Sequence, residues 1–465
     1  MTDIIRPTRV LISDLIGLAF DSEGQPDPSE VRSYVEAQKG CSFHLGPAAE
    51  IAKGAADPAL VEFYYCPDAS TREDLLGLAG EGAYDALIAA ATFIPAECQF
   101  GLGGVRIGAG TGNMGSASWG GGNGIGGTAP LMNTPGINSR ATAQMVWKAL
   151  MSAIPDLPFD TLHGRVAQGT FDTGRHLRDF PTSKLEGQKL AVIGYGNIGR
   201  EVAKLGQAFQ MDVTIFARPH HKAWIESEGF TYAATIEDAA KDAQALSVHL
   251  GLGPMDAVRG VPANTGLIGA TVLSAMAKGS VLINFDRGEL VDTCALAHAL
   301  SSGQIAQAII DADVFVAEVT GEISGPMAPY LPLLDMFADK LCLLPHAAAD
   351  TDHPTRVAGA KQAVDQILSV IRNRIAVNAV GDVPDGITRG QSNTPTGVGG
   401  VGFAELASLA RTDPGKQLKG ALSAVIDRLD TADALSEEDA RDLMLNVNQL
   451  RTLIDDLGLQ GPLRV

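Results

Sequence analysis

The chain has 465 residues, enough for two or more domains that each bury a substantial core. Its 45% hydrophobic and 19% charged residues are ordinary for a globular protein, and a net charge of −19 argues against a nucleic-acid partner, which needs clustered cations. No run of about 18 apolar residues would span a bilayer, and the N-terminus shows no basic region followed by an apolar core, so a cytoplasmic protein without a membrane partner is expected. Cys41, Cys66, Cys98, Cys294 and Cys342 are scattered without CxxC or Cys/His spacing, which suits reduced thiols and predicts no metal site.

In chain order, RVLIS (9–13) and ALIAAATF (86–93) read as buried parallel strands, with helical patterns between and after them. Thirteen glycines then fall between Gly101 and Gly127, and SWGGGNGIGG predicts a mobile loop, because glycine disfavours helix by about 1 kcal/mol per residue. Asn138 to Ile154 predicts a long helix with few charges. From Lys189 strands and helices alternate: KLAVIGY, a helix over 198–209, DVTIFA, a helix, ALSVHL, a helix over 272–277, SVLINF, a helix over 294–301, and QAIIDADVF. That alternation predicts a Rossmann-type doubly wound parallel sheet.

A helix over 354–373 returns the chain to a smaller, flavodoxin-like α/β substrate domain. The expected division is therefore 1–153 with 350–388 as substrate domain and 154–349 as dinucleotide domain. QSNTPTGVGGVG, within 389–402, reads as a linker. In 403–465, Leu418, Leu422, Val425 and Leu429 make one helical stripe, and Leu443, Val447, Leu450, Ile454 and Leu457 another, which predicts a helical tail.

The string GYGNIG follows the apolar strand LAVI and opens a helix, the context a dinucleotide needs. Gly194 permits the tight turn, Gly196 lets backbone approach a pyrophosphate, and Gly199 allows close helix–strand packing. Asn197 and Ile198 begin the helix whose first amides and dipole favour phosphate. At the end of the next strand, where an NAD site places an acidic residue, this chain has Ala217 followed by Arg218, His220, His221 and Lys222. An arginine there suits a ribose 2′-phosphate, so NADP(H) is favoured and NAD(H) left open.

From about Gly108 to Asn378 the chain resembles the D-isomer-specific 2-hydroxyacid dehydrogenases. The resemblance is carried by GAGTGNM (108–114), NTPGINSRATAQ (133–144), GYGNIGR, LSVHLGL (246–252), INFDRGELVD (283–292), DVFVAE (313–318) and LPHAAADT (344–351). It implies that Arg287 binds the substrate carboxylate and polarises the carbonyl, that His346 is the general acid/base, that Glu318 hydrogen-bonds His346, and that Asp313 contacts the nicotinamide carboxamide. It also implies a substrate cleft between two domains, a homodimer with the helix from Asn138 as part of the contact, and backbone amides near Ala91 and Thr92 for the substrate carboxylate. The chemistry agrees: hydride delivery to a 2-oxo carbon builds negative charge on oxygen, which a proton donor and a fixed cation both stabilise. His249, in SVHL, is placed in the wall of the cofactor cleft rather than as a second catalyst. His353 is expected to face solvent, and Phe93 to line either a side-chain pocket or ordinary core.

The chain departs from that family in having Asp286 where a small residue is usual, in its glycine stretch, in the longer connection 251–266, and in the tail. Asp286 would pair with Arg287 or recognise a cationic substrate group. A phosphite dehydrogenase shares the Arg/Glu/His set and is the competing enzyme reading. A nucleotide-sensing scaffold like the C-terminal binding proteins is the competing non-enzyme one.

Overall fold

The computed structural model describes residues 6–48, 60–80, 82–154, 158–180, 182, 184–317, 320–346 and 352–390. Residues 391–402 of the linker, the helical stripes of the tail and Glu318 lie outside them, while Arg389 at the linker's start ends the short strand Thr388–Arg389. By their described residues, Met1–Asn138 with Thr351–Val465 form one compact unit and Ser139–Asp350 another. No described helix is long and apolar enough to cross a membrane.

The first unit holds β1 (Thr8–Ile12), β2 (Cys41–Leu45), β3 (Val61–Tyr65), β4 (Ala86–Ala89), β5 (Gly104–Arg106) and β6 (Leu131–Asn133). They form one sheet in the order β6-β5-β4-β1-β3-β2, all parallel, with the short strand Ala379–Val380 antiparallel on β6. Val10, Leu11 and Ile12 are buried, as expected of a parallel strand covered on both faces. Two strands, β2 and β3, occupy a region read as helical. In β3 the run Phe63-Tyr64-Tyr65 after Val61 favours a pleated, half-buried surface more than a helix. The strand expected over 86–93 stops at Ala89, and the next three residues turn their amides elsewhere.

The glycine stretch is packed around Trp119 and open at Ile125 and Gly126. Ser116 caps a short 3-10 turn over Ala117–Trp119, and buried Trp119 stacks on Phe100 at 5.7 Å while its indole N–H donates to the Met114 carbonyl at 2.9 Å. The glycines permit this crowding: Gly120 has φ +79°, and a Cβ there would lie 1.9 Å from the Ile125 oxygen. Composition carries no information about such contacts.

The helix His353–Asn373 begins where the Asp352 carboxylate accepts from the Thr355 amide at 3.0 Å, and buries Val357, Ala360, Val364 and Ile367 against the sheet. His353 does not simply face solvent. Its Nδ1 accepts from the Ala19 amide at 2.8 Å, and its Nε2 lies 3.3 Å from Glu30. These contacts fasten the helix start within its unit.

The second unit contains β7 (Lys189–Ile193), β8 (Asp212–Phe216), β9 (Thr231–Ala233), β10 (Ala245–Val248), β11 (Ser280–Asn284), β12 (Ile305–Ala312) and β13 (Leu341–Pro345). Their order is β13-β12-β11-β10-β7-β8-β9, all parallel. Strand order reverses between β7 and β10, so the crevice at their carboxyl ends is the switch point where open α/β sheets take ligands. Ile193, Leu246, Val248, Leu282 and Ile310 fill the core beneath it.

Two further helices set the shape around β7. Trp147 of the helix Ser139–Ala153 donates to the Val202 carbonyl of the helix Asn197–Ala208 at 3.3 Å and stacks on Phe209 at 4.8 Å. The apolar face of Ser139–Ala153 is thus covered largely within its own chain. Arg200, buried on the second of these helices, donates through Nε to both Glu228 oxygens at 2.9 Å, and the Tyr195 hydroxyl donates to the same carboxylate. Burial alone would raise the Glu228 carboxyl, but hydrogen bonds from Arg200 and Tyr195 outweigh it and lower the pKa. Removing one partner from such a pair costs about 3–5 kcal/mol, because the other charge stays buried. The pair ties the glycine turn to the segment after β8.

Candidate active site

The cofactor cradle follows directly from β7. Gly194 has φ +108°, and a Cβ there would meet the His249 carbonyl oxygen at 2.1 Å. A Cβ on Gly199 would sit 2.1 Å from the Gly194 oxygen, so the helix can approach the turn only with glycine. At Gly196 nothing lies within 4 Å of that position, and no side chain caps the helix Asn197–Ala208. The first turn therefore keeps amide donors and the positive dipole end free for an anion. Asn197 Oδ1 is buried with no partner. These features fit the pyrophosphate of a dinucleotide.

His249, just past β10, is buried; Nε2 lies 2.7 Å from the Ser247 hydroxyl and Nδ1 has no partner. Burial pushes its pKa down to about 3, so the ring is neutral. It packs beneath the glycine turn, which suits the wall of a cofactor cleft and not proton transfer at neutral pH.

After β8 the chain turns at Ala217 and Arg218. Arg218 is exposed, and no carboxylate pairs with it among the described residues. Lys222 lies over the Tyr232 ring at 5.8 Å and 3.9 Å from Glu226. The His221 pKa is lowered by burial first and then by His220 and Arg218.

Arg287 and His346 are brought together at the carboxyl ends of β11, β12 and β13. The NFDRG turn is shaped by Asn284, a residue the sequence reading passed over. Its side-chain nitrogen donates to the Arg287 carbonyl at 2.8 Å, and its oxygen accepts from the Asp286 amide at 3.2 Å. Tyr330 secures the far side by donating to the Gly288 carbonyl at 2.5 Å. Arg287 is left one-third exposed, 3.9 Å from Asp286 through Nε and 3.9 Å from Asp313 through Nη1. A half-open guanidinium whose ion pairs are both long has donors available for an incoming carboxylate.

His346 follows β13, with its amide on the Ala312 carbonyl at 3.0 Å. Its Nδ1 lies 2.5 Å from Asp311 Oδ1. Glu318, to which the resemblance gave this contact, lies outside the described residues, and Asp311 was not singled out from sequence. Burial would lower the His346 pKa, but the hydrogen bond and charge of Asp311, with the charge of Asp313, raise it against Arg287. A carboxylate only accepts, so Nδ1 carries the hydrogen and Nε2 is the atom left to exchange a proton.

Asp286 completes the group. Burial pushes its carboxyl up to about 6, Asp311 adds to the rise, and Arg287 and His346 oppose it. The pairing with Arg287 is present, at the length of a loose ion pair.

Ala91 and Thr92 belong to the first unit. Their amides, with that of Ala90, donate to the carboxylate of Asp14 at 2.9–3.1 Å, and the Thr92 hydroxyl does so at 2.7 Å. The loop does grip a carboxylate, and that carboxylate is the chain's own. Nothing in the local sequence links Asp14 to a loop 78 residues later. Phe93 is largely exposed, which separates it from ordinary core.

Residues 158–348 match the family model described as D-isomer specific 2-hydroxyacid dehydrogenase, NAD binding domain. The chain is 32% identical to a glyoxylate reductase of Aeropyrum pernix over 251 residues, which is 54% of this chain and 69% of that protein. It is 29% identical to a D-3-phosphoglycerate dehydrogenase of Methanocaldococcus jannaschii over 250 residues, 54% of this chain but only 43% of that longer protein. The crystal structure of NAD+-bound 3-phosphoglycerate dehydrogenase from Entamoeba histolytica shares the fold, with a TM-score of 0.52 at 16% identity over 79% of this chain and 96% of that one. A dinucleotide cradle at the switch point, an arginine and a histidine at the ends of two strands that flank β12, and this degree of identity place the chain in the D-isomer-specific 2-hydroxyacid dehydrogenase family of NAD(P)-dependent oxidoreductases.

Proposed function

We propose that the chain transfers hydride between NADP(H), in preference to NAD(H), and C2 of a small D-2-hydroxy acid or 2-oxo acid, with His346 as acid/base. The observation that carries this reading is His346 itself: a ring held through Nδ1 by a buried carboxylate, its basicity raised, within electrostatic reach of Arg287. When bound, the reduced nicotinamide supplies the hydride to C2. Arg287 binds the substrate carboxylate and stabilises the charge developing on the carbonyl oxygen, and His346 Nε2 gives that oxygen its proton. The C=O π bond becomes a C–H and an O–H bond, and oxidation of the hydroxy acid reverses each transfer. Asp313, 3.9 Å from Arg287, is proposed to contact the nicotinamide carboxamide.

Relatives named for glyoxylate and for 3-phosphoglycerate span unphosphorylated and phosphorylated substrates. Ala90-Ala91-Thr92-Phe93 contains no cation for a phosphate, so an unphosphorylated acid is proposed here. A panel of 2-oxo acids with NADPH and NADH tests the reading, with phosphite and NADP+ as a separate arm. Arg218→Ser should raise KM for NADPH about 10- to 100-fold, in line with loss of a charge-assisted bidentate contact, and leave KM for NADH within about twofold. Equal effects on both cofactors would remove Arg218 as the phosphate reader. Turnover of phosphite alone would remove the 2-oxo acid.

A homodimer is proposed as the assembly. Support comes from the helix Phe159–Ala167, none of whose residues is buried and which exposes Phe159 and Val166. Sedimentation should show a dimer for the full chain and a monomer for Phe159→Asp with Val166→Asp. A monomeric wild type at micromolar concentration would refute it.

A further inference from the structure

We propose that Asp286 is a charge filter beside Arg287, and that the substrate is a 2-oxo acid with one negative charge and an uncharged side chain, a reading that rests on the hydride-transfer function proposed above. The turn after β11 fixes where the carboxylate stands. Asn284, fully buried, accepts from the Asp286 amide at 3.2 Å and donates to the Arg287 carbonyl at 2.8 Å, so one side chain holds both residues. Phe285 takes the core side, 3% exposed, and Asp286 is left facing the charges of Arg287 and His346. Its side chain is 20% exposed, and its ion pair with Arg287 Nε is a long 3.9 Å. Among the described residues no hydrogen-bond donor reaches its carboxylate. A largely buried carboxylate without such a donor loses hydration and gains little in return. Its place is better explained by the site than by the fold.

The charges around it define the role. Asp286 flanks Arg287 at Nε and Asp313 flanks it at Nη1, each at 3.9 Å. Asp311, from β12, and His346, after β13, are the other charged groups facing Asp286. Carboxylates therefore outnumber cations here. One incoming carboxylate can take the guanidinium donors that neither long pair uses. A second anionic group on the same molecule meets the carboxylates instead. Among the described residues no lysine or arginine other than Arg287 pairs with Asp286 or Asp313. Like-charge repulsion in a partly buried site is weakly screened, so it discriminates between singly and doubly charged acids. Burial sets the Asp286 carboxyl at about 6, so the filter is switched on as pH rises through that value. An unphosphorylated acid with an uncharged side chain is the substrate such a turn admits.

The test compares reduction of 2-oxoglutarate and 2-oxopentanoate by the full-length protein, two acids of equal chain length that differ by the distal carboxylate. Wild type is expected to favour 2-oxopentanoate in kcat/KM. The ratio of the two values cancels the titration of His346, which both substrates share. Asp286→Asn and Asp286→Ala should each raise 2-oxoglutarate relative to 2-oxopentanoate by about 5- to 50-fold at pH 8, the effect of one unit charge at close range. At pH 5 the wild-type carboxyl is protonated, so wild type and variants should agree within about threefold. An equal ratio at pH 8 in wild type and a folded variant would overturn the filter, as would a difference of the same size at pH 5. Should Asp286→Asn fail to fold, Asp286→Ala and the wild-type ratio across pH still decide. If wild-type protein reduces no 2-oxo acid, the hydride-transfer reading fails and the filter is read from binding alone. Calorimetry on the NADPH-loaded protein then compares oxamate, a single anion, with oxalylglycine, a double one, neither of which has a reducible ketone. A preference for oxamate that shrinks in Asp286→Asn keeps the filter; equal ratios, or binding of neither, overturn it.

Discussion

His346→Asn should lower kcat for 2-oxo acid reduction by about 10²- to 10⁴-fold, the range a positioned general acid contributes. The substitution keeps a polar amide at about the position of Nδ1 and removes Nε2 with its exchangeable proton. Substrate binding through Arg287 does not depend on that proton, so KM should move by much less than kcat. Because the ring's pKa is raised, wild-type reduction should persist up to that pKa and fall as pH rises through it. Oxidation of the hydroxy acid, which needs the neutral ring as base, should rise over the same interval. Steady-state kinetics in both directions across pH, with circular dichroism to verify folding, would measure this. A variant that retains more than about a tenth of wild-type kcat would remove His346 as the acid/base.

Asp286→Asn should stabilise the protein at pH 8 and change little at pH 4. The folded carboxyl is raised from its ordinary 3.8 to about 6, mainly by burial. A group raised in the folded state contributes stability that is complete below its unfolded pKa and lost as pH climbs through the folded one. Between about pH 4 and pH 6 the wild type therefore loses stability, and above that it carries a poorly solvated anion. A rise of that size corresponds to roughly 3 kcal/mol at its fullest extent. Asparagine cannot ionise, so the variant escapes the loss. Urea denaturation of both proteins at pH 4 and pH 8 gives the difference directly, and a variant less stable than wild type at pH 8 would show that Asp286 is held by its neighbours rather than strained. Gain of stability with loss of turnover would mark Asp286 as a site residue whose burial the fold tolerates for function.

The nucleotide half was legible because its signals are local. Gly194, Gly196 and Gly199 stand at fixed spacings on a strand–turn–helix, and the alternation of apolar runs with helical patterns is visible without knowing any contact. Arg287 follows a strand that its apolar run made visible, whereas the strand Leu341–Pro345 was not expected and His346 was reached only through the family motif LPHAAADT. The first unit was harder. β2 and β3 are five residues each, too short for periodicity to separate them from helix, and the glycine stretch concealed the packing of Trp119.

Sequence by itself determined the family, the doubly wound architecture around the GYGNIG turn, and the arginine and histidine at the strand ends. Tertiary structure alone decided which charges meet: Asp311 with His346 across 35 residues, Arg200 with Glu228 across 28, and Asp14 with Thr92 across 78. The reason is physical. Local periodicity specifies which residues face inward on one element, whereas a pair between elements depends on sheet order and register. Those are set by the burial of the whole sheet, and no short stretch of chain records them.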